Sequence, residues 1–173
     1  MLRHSLTRSL IVAGIALVGL AASPATMGPP WISIEYPPSP HDPTTRDAFL
    51  LVHAFHHGTP MNFPVTGSAE GIVGGQRRSV KLGFAKTSRT GTFALKKQWP
   101  GEGTWTLMIT VTQGEGAGNA VTALVDIGAD GDVASVKVPT ARRGEWNIPK
   151  AVTVGDVDAA LRARVARAVA GRS

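Results

Sequence analysis

Cysteine is absent from this chain of 173 residues. Its absence excludes a disulfide scaffold, a thiolate zinc site, a cysteine nucleophile and a lipid-modified cysteine anchor. Aromatic residues are scarce, at 6%, but 43% of the residues are hydrophobic, which excludes a wholly disordered chain. The length suits one domain with accessory segments, because most domains have about 100–150 residues.

Long hydrophobic runs are also lacking. The uncharged apolar run near the start, Leu10 to Ala22, has 13 residues, whereas a spanning helix needs about 20. It follows Arg3 and Arg8 and precedes small residues and Pro24, which is the pattern of a cleavable signal peptide. We therefore expect an exported protein, periplasmic or secreted, with no transmembrane span in the mature chain.

Basic residues exceed acidic ones, 18 against 12, but they form no dense block. Loss of the signal peptide leaves 16 against 12, a charge of +4. The closest basic groupings are the pairs Arg77-Arg78, Lys96-Lys97 and Arg142-Arg143. Nucleic-acid-binding proteins concentrate positive charge on one face, often beside stacking aromatic rings. The sequence therefore predicts no nucleic-acid partner.

Short β-prone runs, separated by glycine, proline, asparagine and aspartate, fill the middle of the chain. Trp31 to Tyr36 lies between prolines and is typical of an edge strand, because proline cannot donate a ladder hydrogen bond. The other predicted strands are Ala48–His56, Phe63–Val73, Ser79–Lys86, Thr92–Trp99, Thr104–Thr112, Ala120–Ile127 and Asp132–Val138. We expect an all-β fold, an immunoglobulin-like antiparallel β-sandwich of about seven strands.

Alternation of apolar and polar residues is clearest in Thr104–Thr112. Its apolar positions, Trp105, Leu107, Ile109 and Val111, share one face, which is the pattern of a half-buried strand. Asp130-Gly131 predicts a hairpin between the last two strands, because this dipeptide suits the turns that match strand twist. Pro100 to Gly103 is expected to turn the chain from the strand before it to the strand after it.

The end of the chain has a helical pattern. Asp156 is a suitable N-cap, Gly171 a suitable stop, and the apolar positions between them are Val157, Leu161, Val165 and Val169. We predict a short amphipathic helix that either docks on the domain or binds a partner or a membrane surface. The predicted organisation is a signal peptide (1–25), an extended proline-rich lead-in (26–47), the sandwich (48–140), and a linker with the C-terminal helix (141–173).

Three histidines near a glycine form the only unusual polar group. His53, His56 and His57 are candidate ligands of copper or zinc, with His41 or Met61 as further ligands, because imidazole and thioether groups suit these metals.

Strand geometry argues against one ion bound by all three histidines. On a regular strand His53 and His57 would lie about 13 Å apart, at ~3.3 Å per residue, and His56 would face the other way. A helix over residues 47–57 would instead bring His53 and His57 together at i, i+4. We favour the strand, in which the histidines mark an exposed strand end beside a turn at Gly58.

Motifs for catalysis are missing from the sequence. It has no G-x-S-x-G element, its carboxylates form no visible pair, and Gly71 to Gly75 lacks the pattern of a phosphate-binding loop. Asp126, Asp130 and Asp132 resemble part of a calcium loop but lack its central glycine and distal glutamate. We predict that the protein is not an enzyme and has no cofactor, copper or zinc being the alternative.

Two tryptophans flank the turn at Pro100 to Gly103. Trp99 and Trp105 are either core residues or a platform for a ligand such as a carbohydrate at the end of the sandwich.

A family resemblance rests on the residues around the same turn. The segments Gly91-Thr-Phe93-Ala-Leu95 and Gly103-Thr-Trp105-Thr-Leu107-Met-Ile109 resemble the immunoglobulin-like modules of bacterial envelope proteins, notably the YtkA-like and CopC-like group. The resemblance covers Ala48 to Thr112. It implies a small, exported, non-enzymatic β-sandwich, with copper handling in some members. The chain departs from the copper-binding members because no expected cleavage leaves a histidine at the mature N-terminus.

The expected function is therefore an exported binding or structural module with a protein partner in the cell envelope. The alternatives are a periplasmic copper or zinc protein that uses His53, His56 and His57, and a carbohydrate-binding or enzyme-accessory module.

Overall fold

Residues 28–170 are described by a computed structural model, which is mostly β with one C-terminal helix. The predicted signal peptide and Gly171 lie outside the described residues. The strands of the first half are β1 (Trp31–Glu35), β2 (Leu50–His56), β3 (Thr59–Pro60), β4 (Val65–Val73), β5 (Gln76–Lys81), β6 (Phe84–Lys86) and β7 (Thr92–Leu95). The second half contains β8 (Thr104–Thr112), β9 (Ala120–Ile127), β10 (Val133–Lys137), β11 (Thr140–Arg143), β12 (Trp146–Pro149) and α1 (Val154–Ala170).

The strands form two five-stranded sheets and one separate hairpin, and every pairing is antiparallel. The first sheet has the order β1-β2-β7-β6, with β3 added to the end of β2. The second sheet has the order β10-β9-β8-β4-β5, and β11 pairs only with β12. As predicted, the strand that begins at Trp31 is an edge strand.

Both sheets contribute side chains to one hydrophobic core. The first sheet supplies Leu50, Val52, Phe93 and Leu95, and the second supplies Trp105, Leu107, Ile109, Val111 and Val125. The four apolar positions of β8 are all buried, as the alternation predicted. Thr106, on the opposite face of β8, is also buried because α1 covers it.

The prediction of one strand over Ser79–Lys86 is wrong. The chain leaves the second sheet after β5, passes through Leu82 and Gly83, and joins the first sheet as β6. Leu82 is buried in the core, and its N–H donates to the Gly67 carbonyl at 3.0 Å, so the chain crosses between the sheets at this residue. The turn at Pro100 to Gly103 likewise connects β7 of the first sheet to β8 of the second.

The hairpin predicted at Asp130-Gly131 is confirmed, with Gly131 at φ 88° between β9 and β10. Its register shifts between Val133 and Ser135, where the strand bulges. This bulge explains why Val133 departs from the alternation of the residues that follow it.

The C-terminal helix is confirmed, but its cap is Thr153 and not Asp156. The Thr153 hydroxyl accepts a hydrogen bond from the Asp156 N–H at 3.2 Å, and the Asp156 carboxylate accepts one from the Thr153 N–H at 3.0 Å. This reciprocal pair is a capping box. The helix contacts β4 and β8 and buries Val157 and Leu161 completely. Its last apolar position, Val169, is exposed.

No helix within residues 28–170 is both long enough and apolar enough to cross a bilayer.

Candidate functional site

The histidines lie where β2 ends in a tight turn. His57 and Gly58 have φ values of 47° and 81°, and His56 pairs with Thr59 on the returning strand. Positive φ at both central positions is the geometry of a two-residue hairpin turn, which Gly58 permits. The strand is therefore confirmed over the helical alternative for this segment.

His53 is held by side chains from the two neighbouring strands. Its Nε2 lies 2.9 Å from Glu35 Oε2 on β1, and its Nδ1 lies 3.2 Å from Thr92 Oγ1 on β7. Both ring nitrogens have partners, so His53 has a structural role that links three strands of the first sheet.

His56 and His57 lie together at the turn, apart from His53. Their ring centroids are 4.2 Å apart, and the buried Nδ1 of His56 has no hydrogen-bond partner. His53 and His56 point to opposite faces of β2, as strand alternation requires. In the described part of the chain, no group of three or more His, Cys, Asp or Glu residues is placed to hold a metal ion. The structure thus brings together two of the three predicted ligands.

The further ligands that we considered do not complete this pair. His41 is exposed in the loop between β1 and β2, and it belongs to no such group. Met61 follows β3, where its N–H donates to the Ala54 carbonyl at 2.9 Å and its side chain is exposed.

Trp99 and Trp105 are core residues and offer no stacking platform. They are 5% and 2% exposed. Trp99 packs edge-on against Phe49 with ring centroids 5.0 Å apart, and the Trp105 indole donates to the Glu102 carbonyl at 2.6 Å. Of the two alternatives for these tryptophans, the core is confirmed, because both rings are buried in it.

A row of polar side chains crosses the second sheet on the face that α1 covers. The five residues lie in register on neighbouring strands, and we call them the polar row: Ser79, Glu70, Thr106, Asp126 and Ser135. Thr106 Oγ1 donates to Asp126 at 2.6 Å, Ser135 to Asp126 at 3.0 Å, and Ser79 to Glu70 at 2.9 Å. Each carboxylate of the row thus accepts hydrogen bonds from its neighbours.

Two arginines link α1 to this row through ion pairs. The Arg164 guanidinium donates to Asp126 Oδ1 at 2.9 Å and to the Ile127 carbonyl at 2.7 Å. At the other end, Arg77 of β5 bridges Glu70 and Asp158, a residue of α1. Burial opposes ionisation of Glu70, but hydrogen bonds from Ser68, Arg77 and Ser79 outweigh it and lower the pKa of its carboxyl.

The hairpin formed by β11 and β12 is the most exposed element that the sequence did not predict. All four residues of β11 are exposed, and Trp146 at the start of β12 is 76% exposed. Gly144 takes φ 62° in the turn, and the Lys150 N–H closes the hairpin on the Pro139 carbonyl at 2.9 Å. The hairpin therefore presents a tryptophan on a defined backbone outside both large sheets.

Exposed apolar side chains and positive charges concentrate around this hairpin, in residues 136–154, which we call the basic segment. It contains four of the seven large hydrophobic side chains that are exposed within residues 28–170: Val136, Val138, Trp146 and Val154. Its charged residues are Lys137, Arg142, Arg143 and Lys150 against the single Glu145. Neither Arg142 nor Arg143 forms a salt bridge with any described residue.

No protein-family model, curated protein or solved structure matches this chain.

Proposed function

We propose that the protein is an exported, non-enzymatic binding module of the cell envelope, built as an immunoglobulin-like β-sandwich. Support for the sandwich comes from the single core to which both antiparallel sheets contribute. The absence of cysteine means that such a sandwich is held by this core and by α1, without the inter-sheet disulfide of antibody domains.

A binding role is favoured over catalysis because the charged groups best suited to chemistry already serve the fold. Glu70 and Asp126 hold α1, and His53 bonds to Glu35 and Thr92. On the hairpin, by contrast, Trp146 is exposed, and Arg142 and Arg143 form no salt bridge with any described residue.

The observation that carries the proposal is the position of Trp146. Large aromatic rings are usually buried, and those exposed on a protein surface are enriched where partners bind. At 76% exposure, Trp146 stands on a hairpin that neither large sheet covers.

The test is sedimentation of the purified protein with envelope fragments of its source cells. We expect the protein to pellet with the fragments and Trp146→Ala to reduce the pelleted fraction. Trp31→Ala is the matched control, because Trp31 is also an exposed strand residue, at 59%, but lies on β1. A protein that stays in the supernatant at micromolar concentration, with no pelleting above a fragment-free blank, would overturn the proposal.

Metal handling is a second candidate, which the unpartnered Nδ1 of His56 beside His57 favours. In that case His56 and His57 would bind copper or zinc with open positions left for a ligand from solvent or from a partner.

A further inference from the structure

We propose that the basic segment docks the protein on an anionic lipid surface, with Trp146 at the headgroup level and Arg142 and Arg143 against the lipid phosphates. This inference rests on the proposed function, because it names the partner of the same hairpin.

Trp146 has the chemistry of a residue at a membrane interface. Tryptophan is enriched at membrane–water interfaces because one part of its ring system is apolar and its N–H can bond to polar headgroups. No described hydrogen bond or ring contact involves the Trp146 side chain, which is 76% exposed. It can enter an interface without leaving a contact inside the protein.

The basic segment also has the charge that an anionic surface attracts. The basic segment carries four cations and one anion, and its two arginines have no carboxylate partner among the described residues. Arg142 Nε donates to the Gly144 carbonyl at 3.2 Å, which holds that guanidinium at the tip of the hairpin. Guanidinium groups bind phosphate oxygens in bidentate pairs, so they suit lipid phosphates.

The shape of the surface favours a lipid over a compact ligand. The cavities of 460 and 580 Å³ contain no residue of the basic segment. The cavity of 150 Å³ is lined in part by Pro139, Lys150, Ala151 and Val152 of the segment, but by neither Trp146 nor the two arginines. Val136, Val138 and Val154 add exposed apolar area within the same segment. A surface that mixes single apolar side chains with cations matches the boundary between headgroups and acyl chains.

The attachment is expected to be weak and sensitive to salt. Each cation near an anionic leaflet strengthens binding by about fivefold. At 0.1 M salt this attraction decays over a distance of about 10 Å, and higher salt shortens that distance. The hairpin has one large aromatic side chain, so binding is reversible and does not resemble membrane insertion.

The experiment is cosedimentation with vesicles of phosphatidylglycerol and phosphatidylcholine, compared with vesicles of phosphatidylcholine alone. We expect binding to the anionic vesicles only, and its loss as salt is raised. The double variant Arg142→Glu/Arg143→Glu should lower the partition coefficient by roughly twentyfold or more. Trp146→Ala should lower it several-fold, and circular dichroism should show that both variants retain the fold.

Matched controls separate the hairpin from general charge. Arg162→Glu/Arg167→Glu makes the same charge change at two exposed positions of α1, and Trp31→Ala removes the other exposed tryptophan. Both control variants should bind the anionic vesicles nearly as well as the wild type. Equal loss in the control variants would overturn the proposal, as would equal binding to neutral vesicles.

Two further outcomes distinguish this inference from the proposed function. If the protein binds envelope fragments but not anionic vesicles, the lipid proposal is wrong and the proposed binding function stands. If it binds neither, both proposals are wrong. If soluble polyglutamate displaces the protein from envelope fragments and anionic vesicles do not, the surface binds an acidic polymer. The lipid proposal is then wrong.

Discussion

Arg164 of α1 and Asp126 of β9 form an ion pair of 2.9 Å across the contact between helix and sheet. The same guanidinium donates to Thr106 Oγ1 at 2.9 Å and to the main-chain carbonyls of Trp105 and Ile127 at 3.1 and 2.7 Å. Arg164 and Asp126 are each 20% exposed. The helix is therefore held by directional contacts in addition to its buried Val157 and Leu161.

Replacing Arg164 should destabilise the protein more than replacing any exposed arginine of α1. Arg164→Met leaves Asp126 partly buried with two hydroxyl partners and the exposed Lys137 ammonium at 3.9 Å, so we expect the free energy of unfolding to fall by about 1.5–3 kcal/mol. Urea denaturation measures this loss. Arg162→Met is the control on the exposed side of the helix, where a change within about 0.5 kcal/mol is expected. Equal losses would contradict a specific role of Arg164.

Glu70 should make part of the stability dependent on pH. Its pKa in the folded protein is below the ordinary value of 4.5, so its contribution to stability is complete above that pH and is lost as the pH falls through the folded value. Arg77 faces it from β5, and Asp158 lies on the other side of Arg77. Acid should therefore loosen the attachment of α1.

The variant Glu70→Gln tests this dependence. At pH 7 it should lower the free energy of unfolding by about 2 kcal/mol, because Arg77 loses a charged partner in a buried position. The difference in the free energy of unfolding between variant and wild type should narrow as the pH falls from 4.5 through the lower pKa of folded Glu70, because its carboxyl becomes neutral there. Glu115→Gln, at an exposed position, should show no such gap. A gap that stays constant from pH 7 to acid would contradict the role of the Glu70 charge.

The strands that the sequence predicted best are those with the clearest alternation. The bounds of Thr104–Thr112 and Ala120–Ile127 agree with the structure, because a buried face imposes a period of two on the sequence. The sequence did not reveal the break within Ser79–Lys86. An apolar Leu82 fits one continuous strand as well as a crossing between the two sheets. Its position depends on a contact with Gly67, which is distant in the sequence.

The helix contact and the exposed hairpin were missed for different reasons. A polar residue such as Thr106 gives the same alternation whether water or a polar helix covers it, so the sequence did not reveal the polar row. The hairpin strands contain only two β-branched residues, Thr140 and Ile148, and Arg142 and Arg143 are ordinary surface residues. The one signal of this hairpin in the sequence was Gly144, a turn-forming residue two positions before Trp146.

Close packing between Gly71 and Trp105 gives a test of the core. The two residues are paired across β4 and β8, and a Cβ on Gly71 would lie 2.6 Å from Trp105 Cδ2. Gly71→Ala should therefore lower the free energy of unfolding by about 1–3 kcal/mol through overpacking. Thermal or urea unfolding measures it. Gly101→Ala is the control, because nothing lies within 4 Å of its Cβ position, and it should leave the core unchanged. Tolerance of Gly71→Ala would contradict the tight contact.

The metal candidate makes a prediction that separates the three histidines. The two imidazoles of His56 and His57, with ring centroids 4.2 Å apart, are expected to bind Cu(II) or Zn(II) with micromolar affinity, since two protein ligands leave the coordination incomplete. Calorimetric titration should show that His56→Ala/His57→Ala abolishes this binding. His53→Gln should preserve it, because His53 is engaged by Glu35 and Thr92 on the other face of β2. Absence of binding to the wild-type protein would remove the metal candidate, and loss of binding in His53→Gln would mean that a ligand set other than this pair holds the ion.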